Sequence, residues 1–207
     1  MNFGPAPLRP HTNHFYIGLD LGQRSDHSAL VILERARHLT GRFDHVNYTH
    51  ESVTRLYVRH AERFPLHFPY LKIPAAIQST FDKLNPTAYE SSPTPKTIVV
   101  DASGVGAPVV EIIHRAKLPA GVVPITITSG EKPNGNNIPR AALLSNLRIL
   151  LETGILLISP SVPHYKQLFK ELTGLSTLNR ARHDDLAFAL ALAAWSARLT
   201  LPLPLSG

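Results

Sequence analysis

The sequence predicts an α/β protein: a five-stranded mixed sheet, an antiparallel meander followed by parallel strands, with helices on both faces. Three observations lead there. Three strand-like apolar runs follow one another within residues 15–59, with no helical stripe between them. Beyond residue 75, short apolar runs alternate with helical stripes, two of which carry proline in the first turn. Such alternation is what parallel strands joined by crossover helices require. The last helical run is apolar nearly all round, as befits a helix buried against a sheet.

Taken in order, residues 1–14 are rich in Pro, His and Asn and are expected to form a flexible arm. Residues 15–21 (FYIGLDL) predict a buried strand and residues 29–35 (ALVILER) its hairpin partner, with a polar turn between. A third strand is expected over residues 52–59, where Val53, Leu56, Tyr57 and Val58 cluster. Six prolines break residues 64–95, but Ala76, Ile77, Thr80, Phe81 and Leu84 share a stripe that predicts a helix over 75–84. Residues 97–101 (TIVVD) are an apolar strand ending in an acid. Gly104 and Gly106 follow, then a helix over 108–116 opened by Pro108, then a strand over 122–127. Pro139 opens a helix to residue 152 whose inner face is Leu143, Leu144, Leu147, Leu150 and Leu151. Gly154 ends it, a brief strand occupies 155–158, and an amphipathic helix covers 164–172. The last helix begins at His183-Asp184-Asp185, and the tail at 201–207 (LPLPLSG) cannot be helical. The folded domain is therefore expected to run over residues 15–200.

Composition narrows the function classes. At 207 residues with 43% hydrophobic and 17% charged residues, the chain suits one globular domain and not a disordered segment. The absence of cysteine excludes disulfides, thiolate zinc sites and a cysteine nucleophile, leaving carboxylates and imidazoles as metal ligands. A net charge of +6 suits a polyanionic partner, because Lys and Arg on phosphate release condensed counterions. No leader-like apolar segment follows the N-terminal charges, and the apolar run 186–195 is too short to span a bilayer, so a cytoplasmic protein without a membrane partner is expected.

The informative feature is where the acids lie. Asp20 sits inside an apolar strand, Asp101 terminates another, and Asp184 and Asp185 open the buried helix. Each has an ordinary explanation: a strand-end turn for Asp20, a helix cap for Asp101 or Asp184. A carboxylate in apolar surroundings is nevertheless costly unless a cation or hydrogen bonds compensate it. Acids at three such places point to a shared metal, and hard oxygen donors favour Mg2+ or Mn2+ over zinc. On the helix, Asp185 shares a face with Phe188, Ala189 and Leu192, which must meet the sheet, whereas Asp184 stands where a side chain folds back onto free N–H groups.

These segments carry a resemblance. Gly18-Leu19-Asp20-Leu21-Gly22, then Val99-Val100-Asp101-Ala102-Ser103-Gly104-Val105-Gly106, then His183-Asp184-Asp185-Leu186 before an Ala/Leu-rich helix resembles the nuclease domain of phage terminase large subunits, within the ribonuclease H-like group. It spans residues 16–198. The resemblance implies a ribonuclease H-like fold and a DNA endonuclease in which Asp20, Asp101 and Asp185 hold metal, with Asp184 as neighbour. Two ions roughly 4 Å apart would activate water on one side and stabilise the leaving oxygen on the other. Two departures stand out. Relatives often carry another acid one helical turn after the aspartate pair, where this chain has Phe188, and no GxxxxGK[ST] motif of a packaging ATPase is present. A stand-alone nuclease, a split subunit working with a separate ATPase or terminase subunit, or an excised relative is expected.

Candidate phosphate contacts are Arg24, Lys132, Arg140, Arg180 and Arg182, each of which also reads as solvated surface charge. His183 is a candidate proton relay or ligand, or a helix-start histidine satisfied by backbone. Two other classes compete. An actin- or sugar-kinase-like ATPase would use Asp20-Leu21-Gly22 and Asp101-Ala102-Ser103-Gly104 as phosphate loops but leaves the His-Asp-Asp helix without a task. A catalytically silent DNA-binding or scaffold relative would keep the fold without the reaction.

Overall fold

A computed structural model describes residues 11–22, 26–84, 94–104, 106–175 and 184–198. Strands β1 (His11–Asp20), β2 (Ala29–Asp44) and β3 (Thr49–Arg63) form the antiparallel meander. Then come α1 (Ile73–Phe81), β4 (Lys96–Asp101), α2 (Gly106–Arg115), β5 (Gly121–Thr128), β6 (Asn137–Pro139), α3 (Arg140–Glu152), β7 (Leu156–Ile158), α4 (Tyr165–Gly174) and α5 (Asp185–Arg198). The sheet order is β6-β5-β4-β1-β2-β3-β7. Strands β4, β5 and β6 extend it in parallel from β1, and β7 adds in parallel to β3.

The sheet thus has seven strands among the described residues, where five were expected. The expected short strand after Gly154 takes the edge beside β3. At the other edge, β6 went unseen because three residues ending in proline carry no alternation. The meander strands also outrun their expected bounds. Strand β1 begins at His11, and β2 continues to Asp44 and β3 starts at Thr49 because their outer halves form a ribbon with exposed residues on both faces. With no buried side, that ribbon needs no apolar period, so a pattern search stops where the core stops.

Strand parity divides the core. Phe15, Ile17, Leu19, Ile98 and Val100 face α1 and α2, together with Ile73, Ile77, Val109 and Ile113. Tyr16, Val31, Leu33, Leu56 and Val99 face α5, together with Leu143, Leu147 and Leu168. Buried between the sheet and the helices α3 and α4, α5 has every residue from Asp185 to Ala194 buried, which accounts for its apolar character all round. Gly18 sets how closely it lies: a Cβ there would fall 1.7 Å from the carbonyl oxygen of Ala189. Only glycine on the strand lets the helix backbone come so near.

Candidate active site

Asp20 and Asp101 end neighbouring parallel strands. They follow directly on the paired residues Leu19 and Val100, so their backbones stand about 4.8 Å apart, and strand alternation turns both side chains toward α5. The Gly18–Ala189 contact fixes the third element. Asp20 lies two residues beyond Gly18, Asp185 one helical turn before Ala189, and the first turn of α5 is thereby delivered to the ends of β1 and β4.

The four aspartates share one electrostatic neighbourhood. Burial holds the Asp20 carboxyl well above the ordinary carboxylate range, the charges of Asp101, Asp185 and Asp184 push it further, and the Arg140 guanidinium opposes them. Burial also raises Asp101, against hydrogen bonds from Ser103, whose N–H donates to Asp101 Oδ1 at 2.8 Å. This accounts for the turn beyond the strand, which Asp101 orders.

Asp184 and Asp185 diverge. The Asp184 carbonyl accepts the Phe188 N–H at 2.9 Å, giving the backbone role of a cap, while its carboxyl accepts a 2.5 Å bond from Arg140 Nη2. The Arg140 guanidinium lies over the Phe188 ring, 3.9 Å from its centroid. Asp185 is buried, with Oδ2 at 3.5 Å from Arg63 Nε. Arg63 also donates to Glu171 of α4, whose other oxygen accepts the Ala187 N–H at 3.0 Å. Burial pushes the Glu171 carboxyl up to about 7, against the Ala187 and Leu186 N–H groups and Arg63, with Asp185 raising it further.

Arg63 and Glu171 escape inspection of the sequence because each occupies an ordinary place. Their one signal is position: Arg63 has the inward parity of Ala61, and Glu171 falls three residues after buried Leu168 on the inner stripe of its helix. Of the expected phosphate contacts, Arg140 reaches the acids, and Lys132 is exposed on the loop between β5 and β6. Arg24, Arg180, Arg182 and His183 lie outside the described residues.

The donor set fits a hard divalent cation: oxygen ligands only, with the charges of Asp101, Asp185 and Asp184 bearing on the Asp20 carboxyl. Among the described residues, no three His, Asp or Glu side chains are yet grouped tightly enough to hold one ion, and Asp184 and Asp185 are turned to arginines. No helix among those residues is long and apolar enough to cross a membrane.

No protein-family model and no curated protein matches the chain. Solved structures do. The human cytomegalovirus terminase nuclease domain, Mn-soaked and inhibitor-bound, superposes with a TM-score of 0.54 at 12% identity, covering 94% of this chain and 86% of that one. The Mn-soaked form of that domain gives 0.51 at 12% identity, covering 93% and 86%. The large-terminase nuclease domain of bacteriophage SPP1 with bound Mn gives 0.50 at 13%, covering 89% and 87%. Alike in topology over nearly its whole length, this chain has the ribonuclease H-like fold of terminase nuclease domains.

Proposed function

We propose that the chain is a metal-dependent DNA endonuclease of the terminase nuclease type. The observation that carries this is that Asp20 and Asp101 end adjacent strands while the charges of Asp185 and Asp184, at the start of α5, reach Asp20, on a fold whose relatives in structure bind Mn. Asp20, Asp101 and Asp185 would hold Mg2+ or Mn2+, which when bound supplies positive charge to polarise water and the scissile phosphate. The chain's own part is positional. Gly18 and Ala189 fix the spacing of helix and strand, and Ser103 holds Asp101. Glu171, through Arg63 and the Ala187 N–H, anchors the first turn of α5. The neighbouring Asp184 carboxyl is engaged by Arg140.

DNA is the proposed polyanionic partner of the basic chain, in the cytoplasm, and a separate ATPase subunit is the motor that such a nuclease would serve. The test is nicking of supercoiled plasmid with Mg2+ or Mn2+. Cleavage is expected, lost with EDTA and lost in purified Asp20→Asn and Asp101→Asn. Cutting that survives EDTA or either substitution would place the chemistry elsewhere. A folded, DNA-binding chain that cuts under no condition would be the silent relative.

A further inference from the structure

Arg140 is oddly placed for a surface arginine. It is the first residue of α3, where a helix presents its positive pole, and no acid occupies that first turn to compensate. Local helix energetics therefore disfavour a cation there. Yet its side chain, half exposed, is fixed from two directions by α5: Asp184 grips one nitrogen at 2.5 Å, and the Phe188 ring seats the guanidinium face at 3.9 Å. Phe188 lies one turn after Asp184, so the position that would offer a further carboxylate on this edge of the helix offers an aromatic platform instead. The guanidinium stands close enough to oppose the acids' charge at Asp20. A guanidinium seated in this way keeps a fixed plane and several N–H donors free for phosphate oxygens, which a lysine in its place would not.

We propose that Arg140 is the second cation of this active site, a catalytic residue that binds the scissile phosphate opposite a single divalent ion held by Asp20, Asp101 and Asp185. Asp184 serves as the counter-charge that holds the arginine, and Phe188 serves as its seat. The proposal rests on the nuclease reading above and deepens it: the chain takes one metal ion, and an element of its own sequence supplies the charge that a second would bring.

The experiment is titration of the intact chain with Mn2+ in the absence of DNA, followed by calorimetry and by the electron paramagnetic signal of free Mn2+. One ion per chain is expected, and none in Asp20→Asn. In Arg140→Gln, a change at a half-exposed position, the removal of a neighbouring cation should tighten Mn2+ binding about three- to tenfold, while plasmid nicking falls at least about tenfold. Nicking by that variant should recover in part with millimolar guanidinium, whereas Arg140→Lys should bind Mn2+ as the parent does and cut slowly. Two Mn2+ ions in the parent chain, or unchanged Mn2+ affinity in Arg140→Gln, would overturn the role of Arg140 and leave the nuclease reading standing. No Mn2+ binding at all would overturn both.

Discussion

Asp20 shows at the scale of one residue how a site for a cation burdens a chain without it. Its carboxyl is raised well above the ordinary range by burial and three neighbouring carboxylates, so its stabilising contribution is complete below the unfolded value of 3.8 and is lost as the pH rises. At neutral pH the aspartate is therefore a net cost. Asp20→Asn is expected to raise the metal-free melting temperature, by about 1 kcal/mol or roughly 2–4 °C, and to abolish stabilisation by added Mn2+. Thermal melts with and without Mn2+ check this, and a metal-free mutant that melts lower than the parent would contradict it. His14 works in the opposite direction. Stacked on Tyr16 with Nε2 at 2.8 Å from Thr97 Oγ1, it is lowered to about 4 by burial first and the Arg35 charge second. Its folded value lies below the unfolded 6.5, so the stability it contributes is present above pH 6.5 and is lost as the pH falls toward 4. Discounted for partial exposure, the loss is about 1–2 kcal/mol, and His14→Gln should remove about that much of the fall in unfolding free energy between pH 7 and 4, read from urea denaturation at each pH.

Elements, not residues, set where the acids stand, and Gly18 sets how closely β1 and α5 meet. Gly18→Ala would place a methyl carbon on the Ala189 carbonyl, and backbone cannot turn aside as a side chain does. The helix must lift, at a cost of about 3 kcal/mol, and the first turn of α5 must leave the strand ends. Urea denaturation together with Mn2+ titration measures both; unchanged Mn2+ affinity would show that the spacing of helix and strand does not set the site. The acids and α5 were legible in the sequence because each breaks an expectation: a carboxylate within an apolar run, a helix with no polar face. Arg63 and Glu171 were not, since the pair is separated by 108 residues and each side chain is unremarkable in its own element. The expectation that Asp184 would fold back on the backbone missed for the same reason, because its partner Arg140 lies 44 residues away.

For the molecule as a whole, the antiparallel meander, the parallel extension and the short strand β7 were legible from the order of runs, and the other edge of the sheet, β6, was not. Those edges bear on how copies of the chain behave toward one another. Strands β6 and β7 are three residues each, and β6 ends in Pro139, which has no N–H to offer, so neither gives another chain much of a template. The longer open edge is the outer part of β3, in a ribbon that exposes Phe43 on β2, Val46 and Tyr48 in the turn and Val53 on β3. There the register between β2 and β3 slips from Leu39–Ser52 to Phe43–His50, and Thr40 pins the extra residues through its hydroxyl to the Glu51 carbonyl and the Arg42 N–H. A bulge of this kind twists the ribbon out of the flat form in which strands stack side by side. Deleting Thr40 and Gly41 would restore one residue opposite one, and light scattering should then show association at lower concentration than in the parent chain. A small irregularity far along the sheet from the acids would thus be what keeps a strand-rich, partly apolar arm from recruiting its own kind.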